Sequence, residues 1–287
     1  MILNPCCKIN LGLRVLGRRP DGYHDLETIF LPCTQFCDTL EVVTGDDFSI
    51  TAASLGARYS EENGTLSQWI SPDGKLMLTV ARRDGVDWSL EKDLCTKAYM
   101  LLAEDFKLPP AKIFLEKTIP VGAGLGGGSA DAAFTLKALS EVCGLNLSPV
   151  VLEGYAARLG SDCAFFIRCI PSLGTGRGEI LTPLEFNPLE GLELKVIAPE
   201  GISVSTAEAY AGVDGVGARQ YATTTLTEAS GRPVSEWKQL ICNDFEPSVF
   251  KGHPEIAAIK QSLYGCGAAY ASMSGSGSAV YGVFELR

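Results

Sequence analysis

The chain has 287 residues, 46% hydrophobic and 20% charged, enough for one large or two ordinary domains with well-buried cores. Its 24 Lys+Arg against 34 Asp+Glu leave a formal net charge of −10, which argues against nucleic acid or an anionic membrane as a partner. Small anions held by local amides, lysines and metal ions stay open. No apolar run approaches the about 18 residues of a membrane span. The first apolar stretch contains Lys8 and lacks the basic-then-apolar order of a signal peptide, so a cytoplasmic protein is expected. Ten cysteines include no CxxC pair, and His24 and His253 are the two histidines. Paired-histidine zinc chemistry is therefore excluded, and reduced, mostly buried thiols are expected.

Taken in order, residues 7–16 alternate as a strand, with Cys7, Ile9, Leu11, Leu13 and Val15 on one face. Lys8 and Asn10 then project together from the other. Pro20, Asp21 and Gly22 make a turn. Strand-like runs follow at 25–32, 38–44, 47–52 and 75–81, with a polar loop or hairpin over 53–74. The spacing of Leu94, Ala98, Leu101, Leu102 and Phe106 predicts a helix over 92–107, stopped by Pro109 and Pro110. A strand at 111–118 leads into the sequence IPVGAGLGGGSADAAF at 119–134, and a helix is expected from Ser129 to Cys143. Another starts at Ser148 as N-cap with Pro149 behind it and ends at Gly160. Beyond lie a strand at 192–198, a helix at 205–211, a loop insertion at 212–233, a helix at 254–264 and strands at 266–273 and 278–285. Strands and helices mix without regular βαβ alternation. The expected class is α+β in two lobes, 1–148 and 149–287.

The 31 glycines exceed the roughly 20 of average usage, and five of them fall between 122 and 128. Gly122, Gly124 and Gly127 satisfy GxGxxG, but here helix follows helix where a dinucleotide fingerprint needs a βαβ unit. Gly128 stands where a Walker P-loop carries its lysine, which excludes an ordinary P-loop. Two readings are left: a tight turn, or a loop whose N–H groups, with the positive end of the following helix, surround a polyphosphate. Placement directly before a helix favours the second. The missing cation must then come from elsewhere, and Ser129 is a candidate to touch phosphate-bound Mg²⁺.

PVGAGLGGGSADAA resembles the phosphate loop of the GHMP kinase superfamily, whose members phosphorylate small-molecule alcohols. The late segment SMSGSGSAVYGVF and the early CKINLGLRVLGRRPDGYHDLETIF match it too. Lys8, Asn10, Asp21, Gly22, Tyr23 and His24, with LGSDCAFF at 159–166 and GRGEILTPL at 176–184, resemble the 4-diphosphocytidyl-2-C-methylerythritol kinases among them.

The resemblance implies a two-lobed fold, the N-terminal lobe like ribosomal protein S5 domain 2 and the C-terminal one a ferredoxin-like α/β sandwich. It implies phosphoryl transfer from ATP, with Mg²⁺, to the 2-hydroxyl of 4-diphosphocytidyl-2-C-methylerythritol in the non-mevalonate isoprenoid route, with the cytidine end in a cleft between the lobes. Lys8 and Asp162 would be the catalytic pair, Asp162 accepting the alcohol proton and Lys8 holding the carboxylate and the phosphoryl group. The phosphates would lie on Pro120, Gly122, Gly124, Leu125, Gly126, Gly127, Gly128, Ser129 and Ala130. His24 would bond the cytosine edge, with Tyr23 and Tyr210 against its faces, and Asn10, Thr206, Gly275, Ser276 and Gly277 would meet substrate. A monomer or homodimer is expected. The rivals are a GHMP kinase for homoserine, mevalonate or a sugar, whose substrates offer no base to stack, and a nucleotide-binding protein without chemistry.

Overall fold

A computed structural model describes residues 1–45, 47–213 and 224–286. The first stretch runs β1 (Ile2–Leu3), β2 (Cys6–Arg18), β3 (His24–Cys37), β4 (Thr39–Thr44), α1 (Ile50–Arg58), β5 (Leu66–Ile70) and β6 (Leu76–Arg82). A 3-10 turn at Leu90–Lys92 precedes α2 (Leu94–Asp105), β7 (Ala111–Lys117), α3 (Gly127–Val142), α4 (Pro149–Leu159) and α5 (Phe165–Arg168). Then follow β8 (Ser172–Thr175), β9 (Ile180–Pro183), β10 (Leu192–Ile197), α6 (Thr206–Val213), α7 (Leu226–Ser230) and α8 (Val234–Leu240). The last elements are α9 (Glu246–Gly252), α10 (Pro254–Gly265), β11 (Tyr270–Met273) and β12 (Val280–Glu285). Helices and sheets mix as the α+β class requires. No described helix is long and apolar enough to cross a membrane.

The chain groups into two compact units, each discontinuous in sequence. The first takes Met1–Cys7, Phe36–Ile119 and Gly127–Arg168, so residue 148, where a boundary was expected, lies inside it. Its sheet has the order β1-β4-β7-β6-β5, antiparallel except for β6 beside β7, which α2 connects in parallel. Leu78 and Ile113 face each other in that pair and are fully buried. Helices α2 and α4 pack on α3. Ser148 caps α4 by accepting from Val151 N, and Pro149 fixes its first turn, as the sequence predicts.

The expected strand at 47–52 is not formed. Ser49 instead caps α1, accepting from Ala52 N at 2.9 Å, while Glu41 on β4 accepts from Ile50 N and Thr51 N at 3.1 and 2.7 Å. Those acceptors satisfy the first-turn amides of a helix that buries Leu55 and leaves Phe48 (96%) and Ile50 (76%) exposed. Part of the 53–74 loop or hairpin is therefore helix, and its end is the hairpin strand β5 paired with β6.

The second unit takes Lys8–Gln35, Pro120–Gly126 and Cys169–Arg287. It holds the sheets β2-β3-β8-β9 and β10-β12-β11. Leu13, Val15, Phe245, Val249, Leu263, Met273 and Val280 are among the residues of its core. Within the expected 212–233 loop, residues 214–223 lie outside the described ones, but Leu226–Ser230 is helical. The cause is local: Thr225 and Glu228 form a reciprocal capping box. The strand expected at 266–273 begins only at Tyr270, because the residues before it close the end of α10, Gly267 N donating to Tyr264 O at 2.9 Å and Ala268 N to Leu263 O at 3.0 Å.

Candidate active site

The alternation of β2 brings Lys8 and Asn10 together as expected, and the Lys8 ammonium donates to Asn10 Oδ1. Both residues are only 3% exposed, so this strand is buried on both faces rather than solvated on one. Burying a lysine without aqueous solvation demands polar contacts. The Lys8 ammonium also lies 5.4 Å from the centre of the Phe30 ring. Asn10 is oriented from its other end, where Nδ2 donates to Thr28 Oγ1 at 3.0 Å, and Thr28 Oγ1 donates to Gly12 O at 2.5 Å.

Pro120, Gly122, Gly124, Leu125 and Gly126 belong to the same unit as Lys8. The backbone has φ of +72°, +73° and +74° at Gly122, Gly124 and Gly126, the left-handed region that side chains disfavour. Between them Ala123 and Leu125 are buried, and their carbonyls accept from Ala279 N at 3.0 Å and Lys8 N at 2.9 Å. Carbonyls thus turn into the protein. None of the N–H groups from Gly122 to Gly126 has an acceptor among the described residues. A run of backbone donors of that kind fits an anion.

Gly275, Ser276 and Gly277 form a turn between β11 and β12 that packs against this loop. Ser274 Oγ donates to Gly124 O at 3.1 Å and accepts from Asn10 N at 3.2 Å. A Cβ at Gly275 would come 3.0 Å from Asn10 Oδ1 and 3.5 Å from Lys8 Nζ. Asn243 Nδ2 ties the turn down by donating to Met273 O and Gly275 O at 2.9 and 2.8 Å. The tight-turn and phosphate readings of the glycines are therefore compatible: Gly124 packs against the 274–277 turn while the loop's N–H groups keep no acceptor among the described residues.

Gly127, Gly128, Ser129 and Ala130 form the first turn of α3 in the first unit. The helix begins two residues earlier than expected, so Ser129 is its third residue and not its first. Asp162 belongs to the same unit, in the turn before α5, half-buried, with Ser161 Oγ 3.3 Å from its Oδ1. Burial pushes the thiol of neighbouring Cys163 up to about 11, a hydrogen bond with Ser129 opposing and the Asp162 charge adding. Ser129 and the Asp162 turn thus meet through Cys163. Lys8 lies in the second unit.

Among the residues expected to meet a base, Tyr23 is 57% exposed at the tip before β3, with the Arg177 guanidinium 4.9 Å from its ring centre. His24 is buried and stacks directly on Tyr210, with centroids 4.7 Å apart at 15°. Tyr210 in turn meets Phe245 edge-on at 4.9 Å. His24 thus covers one face of the Tyr210 ring. Thr206 is exposed at the start of α6, whose cap is Ser205, accepting from Glu208 N at 3.1 Å.

Residues 93–169 match the GHMP kinase N-terminal domain and residues 228–287 the GHMP kinase C-terminal domain. A 4-diphosphocytidyl-2-C-methyl-D-erythritol kinase of Bacteroides thetaiotaomicron is 45% identical over 285 residues, covering 99% of this chain and 92% of that protein. The chain belongs to the 4-diphosphocytidyl-2-C-methyl-D-erythritol kinase family of GHMP kinases. A kinase of the same name from Bacteroides fragilis is 44% identical over 287 residues, with 99% and 92% coverage. The crystal structure of a 4-(cytidine 5'-diphospho)-2C-methyl-D-erythritol kinase superposes with a TM-score of 0.70 at 28% identity, covering 98% of this chain and 89% of that one.

In this GHMP kinase the sequence alone did not single out Thr28, Ser274 or Asn243, which orient Asn10, the glycine loop and the 275–277 turn. Ser274 carried a faint signal, standing one residue before the glycine turn. Thr28 and Asn243 carried none, because only strand pairing and tertiary packing bring them to the site.

Proposed function

We propose that this protein is an ATP-dependent kinase that phosphorylates the 2-hydroxyl of 4-diphosphocytidyl-2-C-methyl-D-erythritol, a step of the non-mevalonate isoprenoid route. The observation that carries the phosphoryl-transfer part is the glycine loop, whose amides from Gly122 to Gly126 have no acceptor among the described residues and which bonds to Lys8 N. The choice of alcohol rests on the full-length relatives and on the exposed ring of Tyr23.

In the proposed reaction the substrate oxygen attacks the γ-phosphorus, the bond to the ADP oxygen breaks, and the hydroxyl proton passes to Asp162. Positioning and charge neutralisation are the main demands of such a transfer. Lys8 supplies a fixed cation held by Asn10, where a Walker lysine would otherwise act. The loop amides with Pro120, and the first turn of α3 with Gly127, Gly128, Ser129 and Ala130, are the proposed phosphate contacts. Mg²⁺ accompanying ATP would neutralise the β- and γ-phosphates, and the Ser129 hydroxyl is the protein group proposed to face it. Tyr23, His24 and Tyr210 are proposed to hold the cytosine, and Asn10, Thr206 and Gly275 to Gly277 the rest of the substrate.

The test compares ADP release with the cytidyl alcohol against homoserine, mevalonate and sugars. Only the cytidyl substrate is expected to give turnover. Asp162→Asn and Lys8→Met, the latter chosen to fill the buried volume, should each remain folded and lose roughly 10³-fold or more in kcat, within the range of general-base and electrostatic effects. Near-normal turnover in either variant removes that residue from the mechanism.

A further inference from the structure

A lysine and two aspartates that the proposed reaction does not use are buried together at the base of the glycine loop. Lys117, the last residue of β7, donates to Asp38, between β3 and β4, and to Asp131 of α3 at 2.5 Å. The other Asp38 oxygen accepts from Thr118 N at 2.5 Å and Ile119 N at 2.8 Å, the two residues that enter the loop. Asp131 is on the helix that leaves it. A Cβ at Gly127 would stand 2.9 Å from Ile119 Cγ2 and 3.3 Å from Lys117 Nζ, so the residues bounding the loop touch each other beside the ammonium.

Stability alone is a poor reason for this arrangement. Desolvating three ionisable groups can cost more than their attraction returns, and apolar residues of the same volume often do as well. Asp131 Oδ1 is also buried without a hydrogen-bond partner among the described residues, a further cost. Burial pushes the Asp131 carboxyl well above its ordinary range, with the Lys117 charge opposing. What the cluster does supply is direction. It ties the entry of the loop, through Asp38, to its exit, through Asp131, with charge-assisted bonds that hold one geometry.

We infer that Lys117, Asp38 and Asp131 form a positioning triad that sets the separation and orientation of the two ends of the glycine loop, and so the affinity of that loop for the phosphates of ATP. The inference rests on the loop being the nucleotide site. The triad touches no substrate itself and acts through the backbone it holds.

The test uses the full-length protein as wild type, Lys117→Met and the near-isosteric Asp131→Asn. Thermal melting followed by circular dichroism reports folding; titration with MgATP and steady-state kinetics report the site. Both variants should be folded at the assay temperature, with at least a 10-fold rise in Kd and KM for ATP and less than a 2-fold change in KM for the alcohol. A folded variant with wild-type ATP affinity, or unfolding of both variants, assigns the triad to stability alone and overturns the inference. Wild type that binds no MgATP overturns the nucleotide reading beneath it, an outcome separate from unchanged variants in a binding-competent background.

Discussion

Gly124 and Ser274 meet backbone to backbone: a Cβ built on Gly124 would lie 2.3 Å from Ser274 O, and Ser274 Oγ donates to Gly124 O at 3.1 Å. The glycine loop therefore takes its shape from the strand turn behind it. Ser274 also accepts from Asn10 N, and Lys8 N donates to Leu125 O, so loop, turn and the Lys8 strand are one hydrogen-bonded assembly.

Gly124→Ala is expected to disrupt that assembly. The alanine must adopt φ near +73° and displace the Ser274 carbonyl. The backbone term alone costs about 1–3 kcal/mol. A lower melting temperature and at least a 10-fold higher KM for ATP should result. A variant with wild-type melting and KM would mean that the turn yields freely.

Tyr23→Leu and Tyr210→Leu test the base site. Each stacked base contact is worth about 1–3 kcal/mol, so loss of a ring should raise KM for the cytidyl alcohol roughly 5- to 150-fold. KM for ATP should stay within 2-fold. Equal rises for both substrates would show that the rings shape the site as a whole.

Glu41 should govern part of the acid stability. Burial raises its carboxyl, but the Ser49 hydroxyl and the donors of Thr51 and Ile50 outweigh it and hold the group below its ordinary value. For a carboxylate so lowered, the stabilisation is complete above the unfolded value of about 4.3 and is lost as pH falls through the folded one. Glu41→Gln should lower the melting temperature at pH 7 and flatten its decline below about pH 4.5. An unchanged acid limb in melting curves recorded from pH 7 to 3 would exclude Glu41 as its source.

No disulfide is formed among the described residues, so melting should be the same with and without dithiothreitol. Cys266 is exposed and should react first with an aromatic disulfide reagent. Cys163, buried and raised to about 11, has about one thiolate in a thousand at pH 8 and should react only on unfolding. Rapid native labelling of Cys163, read by mass spectrometry, would show that the Asp162 turn opens.

Much of the candidate site was legible in the order of residues. The alternation around Lys8 placed it beside Asn10 because a strand repeats every second residue, and Ser148 with Pro149 marked the start of α4 because capping is local. Segment 47–52 misled for the opposite reason: its apolar alternation resembles a strand, but the acceptors that make it a helix come from Glu41 on β4. The direct stack of His24 on Tyr210, 186 positions apart in sequence, has no local signature either.

By itself the sequence determined the local devices: the glycine loop, the helix behind it, the paired Lys8 and Asn10, and the motifs that mark the family. Each depends on backbone conformation or on side chains a few residues apart, which neighbours along the chain largely decide. Only the tertiary structure decided that Gly124 is pinned by Ser274, that Lys8 is buried, and that Lys117 joins Asp38 to Asp131. Those are contacts between elements distant in sequence, and burial makes their polar groups find partners that no local pattern specifies.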